Sequence, residues 1–160
     1  MSDVRIRLLW PEVHLAAMVG CMRNLVGLRN YQPVAGQPLE MLWTAHIEGA
    51  AGELAVAKHL NVFWAPTIGD IESNDVGPYQ VRTNSSRRLD DMILRPRDKD
   101  DRAYISVLSF LPEFVLLGWI YGHEGKQQQW LREGTFGRPP CYFVPRSALR
   151  PLEELAAVAA

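Results

Sequence analysis

Asp75-Val76-Gly77-Pro78-Tyr79-Gln80-Val81-Arg82 holds the densest chemistry in this chain. A carboxylate precedes a tight Gly-Pro turn, and the short strand that follows points Gln80 and Arg82 the same way. Upstream, the segment Gly49 to Leu60 supplies a second carboxylate, Glu53, and arginines cluster downstream. Hydrolysis of a phosphodiester needs an activated water, charge compensation at phosphorus and help for the departing oxygen. Magnesium supplies much of this, and it prefers hard oxygen ligands in octahedral geometry. Asp75 is the first candidate ligand. The amide oxygen of Gln80 and the backbone carbonyl of Val81 can add to it, and Glu53 can reach in along the sheet edge. Arg82 can hold the phosphate or stabilise its developing charge, but its guanidinium stays protonated and makes a poor base. Each residue also has a plain reading: Asp75 as a turn residue, Gln80 and Arg82 as the wet face of a half-exposed strand, Glu53 as solvated helix surface.

The elements that must position these groups follow from periodicity. Val4 to Leu9 alternates apolar and basic residues, as a short strand does. Pro11 can open a helix running through Ala16, Val19, Met22, Leu25 and Val26, with Gly27 marking its end and a loop from Asn30 to Pro38. Thr44 can cap a second helix reaching Leu60, whose buried stripe is Ile47, Ala50, Ala51, Leu54 and Ala57. Gly49 and Gly52 weaken that helix, so their use is a close approach to a sheet or ligand. Glu53 lies about 100° from Leu54, whereas Glu48 and Glu53 are about 140° apart and do not serve one site together. Strands are expected at Val62 to Trp64, Tyr79 to Thr83, Leu89 to Leu94, Ala103 to Phe110, Glu113 to Tyr121 and Cys141 to Val144. Lys126 to Arg132 reads as a short helix, and a closing helix runs through Leu149, Leu152 and Leu155. The result is an α/β (α+β) arrangement, a mixed β-sheet flanked by helices.

With 160 residues, one domain spanning 1–160 is the economical reading, divided into an N-terminal strand and helix (1–38), a core (44–120) and a C-terminal strand and helix (121–160). The formal charge of -1 excludes a generic polycation, so any nucleic-acid contact must be a local patch. Such a patch exists between Arg82 and Lys99, where six basic residues (Arg82, Arg87, Arg88, Arg95, Arg97, Lys99) face three acids (Asp90, Asp91, Asp98). Cys21 and Cys141 read as free thiols, and no zinc spacing occurs. Neither a secretion signal nor a membrane span is visible, which makes a cytoplasmic protein the expectation.

These residues resemble the PD-(D/E)XK nuclease superfamily. Gly49 to Glu53 matches the Gly-x-x-x-Glu pattern of that family's first core helix, Asp75 its metal-binding aspartate, and Gln80-Val81-Arg82 its Glu-x-Lys strand. Longer texts, His46-Ile-Glu-Gly-Ala-Ala-Gly-Glu53, Gln80-Val-Arg-Thr83, Gly118-Trp-Ile120 and Tyr142-Phe-Val-Pro145, are similar to those of uncharacterised bacterial and phage members. The resemblance implies a restriction-endonuclease-like fold and a Mg²⁺- or Mn²⁺-dependent DNA nuclease. Glu53, Asp75, Gln80 and the Val81 carbonyl would hold the metal, Arg82 would take the lysine's place, and Arg82, Arg87, Arg88, Arg95 and Arg97 would meet DNA. Homodimers are common in that family. Glutamine for the acid, arginine for the lysine and a short Asp75-to-Gln80 spacing depart from its pattern, and they admit an alternative: a weakened or inactive nuclease-fold module that binds DNA or protein.

Overall fold

The computed structural model describes residues 3–30, 39–70, 72–85, 90–134 and 139–157. Strands β4 (Ala103–Phe110) and β5 (Glu113–Tyr121) read as near-continuous apolar runs, because the hairpin they form is buried on both faces. β1 (Val4–Arg7) lies antiparallel to β5 on one side, and β2 (Gln80–Asn84) lies parallel to β4 on the other, giving the order β1-β5-β4-β2. α1 (Trp10–Arg29) packs chiefly on α2 (Leu39–Leu60), and α2 lies against one face of the sheet. Their Val13, Ala16, Val19, Ala50, Ala51, Ala55 and Val56 close over Val81, Ile105, Val107, Phe114, Leu116 and Trp119. Alternate residues of the same strands, Tyr104, Leu108, Val115, Leu117 and Ile120, build a second cluster on the opposite face. There they meet a small antiparallel sheet, β3 (Met92–Leu94), β7 (Cys141–Val144) and β6 (Leu131–Arg132), through Met92, Leu94 and Val144. The chain is therefore a mixed α/β fold with helices flanking a multistranded sheet.

Two glycines set the spacing of these layers. A Cβ on Gly20 would stand 2.5 Å from the Ile47 Cα, so α1 and α2 cross backbone to backbone. One on Gly52 would collide with the Thr83 hydroxyl, so α2 rests directly on β2. Gly49 has open space around its Cα, and the close-approach reading fails for it.

Several expected boundaries move. α1 begins at Trp10 and runs through Gly27 to Arg29, and α2 begins five residues before Thr44, which therefore caps nothing. Val62 to Trp64 forms no strand, since Trp64 turns inward to serve α2. The single expected sheet is split in two. Residues 128–130 form one 3-10 turn where a short helix was expected. The closing helix is also replaced by 3-10 turns, Arg146–Ala148 and Leu152–Ala157. Between them Arg150 pairs its backbone with Trp119, which straightens the chain beside β5. Leu89 and most of the 30–38 loop lie outside the described residues.

Candidate functional site

α1's buried stripe, Val13, Ala16, Val19 and Gly20, continues at helical spacing into two polar residues, Arg23 and Asn24. Arg23 reaches across to α2 and grips Glu53 with both terminal nitrogens, Nη1 to Oε1 at 2.5 Å and Nη2 to Oε2 at 2.9 Å. Its Nε donates to the Thr67 carbonyl at 2.8 Å, and the Trp64 indole N–H donates to Glu53 Oε2 at 3.3 Å. Glu53 is thus a buried carboxylate with a bidentate guanidinium, the stronger form of such a pair. Burial pushes its carboxyl above the usual range, and the nearby charge of Asp75 pushes it further, while the Arg23 hydrogen bonds pull it back.

Asp75 stands where the chain turns into β2. Its backbone N–H donates to the Tyr79 carbonyl at 3.0 Å, and its Oδ2 accepts the Val81 N–H at 2.8 Å. Gly77 takes a positive φ of 54° inside this turn, a conformation suited to glycine. Burial raises the Asp75 carboxyl too, against the pull of the Val81 N–H and of the charges on Arg82, Arg23 and Arg102. Arg102 closes the loop ahead of Asp75 by donating to the carbonyls of Ser73, at 3.2 Å, and Glu72. A further member, His46, is pushed down by burial and by Arg23.

β2 then divides the remaining residues between its faces. Val81 belongs to the cluster under α2 and Thr83 meets Gly52, so Gln80 and Arg82 take the alternate face. Gln80 Nε2 donates to the Ser73 carbonyl at 2.9 Å. Arg82 lies over the Tyr104 ring, 4.9 Å from its centroid, with Nη2 3.0 Å from Asp98 Oδ1 and Nη1 3.2 Å from the Val81 carbonyl. Together with Thr83, Asn84, Met92, Ile93 and Arg95 it lines an open cleft of about 220 Å³ between β2 and β3.

Of the four ligands expected around one ion, Glu53 feels the charge of Asp75, Val81 meets Asp75 through its N–H rather than its carbonyl, and Gln80 spends its amide on the Ser73 carbonyl. Among the described residues, Glu53 interacts with Arg23, Trp64 and Asp75, not with Gln80 or Arg82. The Val81 carbonyl faces a guanidinium, an arrangement that does not favour a cation. Arg95 and Arg97 are exposed near the cleft, whereas Arg87 and Arg88 lie outside the described residues. No group of three or more His, Cys, Asp or Glu side chains gathers to hold a metal among the described residues. As donors, two adjoining carboxylates do fit a hard divalent cation. Both oxygens of Glu53 are already taken by Arg23.

The expectation missed Arg23, Trp64, Asp98 and Arg102. Arg23 had a signal: it sits three and four residues after Gly20 and Val19, on the stripe that faces α2. Trp64, Asp98 and Arg102 lie in irregular segments where periodicity gives no direction.

Set against known proteins, the chain matches no family model, no curated protein and no solved structure. Among the described residues no helix is long and apolar enough to cross a membrane.

Proposed function

We propose that this chain is a metal-dependent nuclease of the restriction-endonuclease-like kind, acting on DNA phosphodiesters at the start of β2. The observation that carries this reading is the coupling of Glu53 and Asp75. A buried carboxylate and a half-buried one, from separate elements, lie within reach of each other's charge, and burial opposes the ionised form of both. Such an arrangement costs folding free energy and is typical of sites that use it. Mg²⁺ or Mn²⁺, when bound, would neutralise the pair and lower the pKa of a bound water. Glu53 and Asp75 are the residues that would hold the ion. Arg23 acts as the resting counter-charge of Glu53, and Arg82 and Arg95 offer guanidinium groups to the phosphates of a strand lying in the cleft.

A second reading has its own observation. Arg23 satisfies both oxygens of Glu53, and Gln80 lies on the other face from it, so a nuclease-fold module that binds DNA without cutting it also accounts for the site. Incubating single-stranded, duplex and branched DNA with Mg²⁺ or Mn²⁺ separates the two. The nuclease reading expects cleavage that Asp75→Asn and Glu53→Gln each reduce by about 10³-fold or more. Cleavage that survives in both variants would overturn it. Salt-sensitive DNA binding without cleavage by the wild-type protein would establish the binding module.

A further inference from the structure

On α1 the face turned away from α2 carries a second apolar stripe that nothing described covers. Leu15, Met18, Met22 and Leu25 are 52%, 65%, 50% and 56% exposed, a large apolar patch for a surface helix. Their spacing of three, four and three residues is the narrow seam by which helices pair with one another, not the broad face by which a helix sits on a sheet. The stripe is also palindromic. Leu-Met-Met-Leu reads the same in both directions, and the pairs 15/25 and 18/22 share one midpoint, at Gly20. A two-fold axis through that midpoint lays Leu15 against Leu25 of a second copy and Met18 against Met22, which is the self-complementarity an isologous interface requires.

We propose that α1 is the seam of a two-fold homodimer, with the two α1 helices antiparallel. The helix dipoles agree with that direction, since antiparallel pairing sets them head to tail. A parallel pair would stack like on like. Trp10, 62% exposed, and Leu28 lie on one flank of the stripe, and the same axis brings each beside the other's copy. The six side chains together offer on the order of 600 Å² per copy, close to the roughly 800 Å² of a standard interface. Unbranched methionines at the centre adapt to one another across the axis. This inference uses no residue of the acidic pair and stands apart from the nuclease reading.

Sedimentation equilibrium on the full chain tests it. At about 100 µM, a concentration that detects all but very weak pairing, the wild-type protein is expected at twice its 18.1 kDa. The variant Met18→Glu/Met22→Glu, which places four unpaired charges in the seam, is expected as a monomer with self-association weakened about 100-fold or more. Its circular dichroism should be unchanged, and its melting temperature should match that of the wild type diluted until it is monomeric. In a Cys21→Ser/Cys141→Ser background, Met18→Cys/Met22→Cys should cross-link between copies on oxidation, and Met18→Cys alone should not. A monomeric wild type would overturn the proposal. So would a charged variant that stays dimeric, one that melts lower without any change of mass because the stripe is covered within the chain, or cross-linking by Met18→Cys alone.

Discussion

The two faces of β2 handle charge in opposite ways. On the α2 side, Glu53 is enclosed with Arg23 and Trp64, its side chain 7% exposed. On the other face Arg82 pairs with Asp98 at the wall of an open cleft and keeps 29% of its side chain exposed. One face stores electrostatic tension, and the other offers cationic groups to solvent. Asp75 stands at the joint, coupled to Glu53 and Arg23 on one side and to Arg82 and Arg102 on the other. The contrast teaches that groups on opposite faces of one strand can be joined electrostatically through the turn that leads into it.

Removing the enclosed cation should do the most damage. Arg23→Ala leaves Glu53 buried without a partner and should cost about 3–5 kcal/mol of stability at neutral pH, measured by urea unfolding. Because the Glu53 carboxyl is raised in the folded state, the variant regains stability as pH falls below that raised value, where the neutral acid needs no counter-charge, and loses it as pH climbs through it. A loss independent of pH would mean that the enclosed face is held by packing alone. Next in size, Gly52→Ala should cost about 2 kcal/mol by pushing α2 off Thr83, and adding Thr83→Ala should recover most of it. That recovery would come more easily because the Thr83 hydroxyl has no hydrogen-bond partner among the described residues.

Asp75→Asn should act with the opposite sign on stability. The Asp75 carboxyl is raised on folding, so its contribution is favourable below its unfolded pKa and is lost as pH rises through the folded one. A neutral amide that still accepts the Val81 N–H should therefore raise the melting temperature at pH 7, by an amount that disappears at acid pH, whether or not the proposed cleavage is lost with it. The smallest stability effect belongs to the open face. Arg82→Ala should cost about 1 kcal/mol, because Asp98, whose side chain is only 8% exposed, loses one partner but keeps the Arg95 N–H; on the proposed DNA-binding reading it should also lower the salt dependence of binding by about one phosphate contact. If Arg82→Ala instead unfolded the protein, the distinction between the two faces would collapse.

Much of this architecture was legible in the chain. β4 and β5 fall where their apolar runs begin and end, since a strand buried on both sides announces itself in every residue. Helix ends were harder: without a side-chain cap, α1 runs past Gly27 on the strength of its packing against α2. At the site, the alternation of β2 correctly puts Gln80 and Arg82 on one side. Which side that is depends on Val81 and Thr83 meeting the bare backbone of Gly52, a contact between residues some thirty positions apart. Likewise the helical spacing of Arg23 from Val19 and Gly20 was a signal the expectation passed over, and only the crossing of α1 over α2 at Gly20 and Ile47 delivers its guanidinium to Glu53. Local spacing determines which side chains share a face, because backbone geometry fixes it residue by residue. What that face meets is decided by the packing of distant elements, which no single segment encodes.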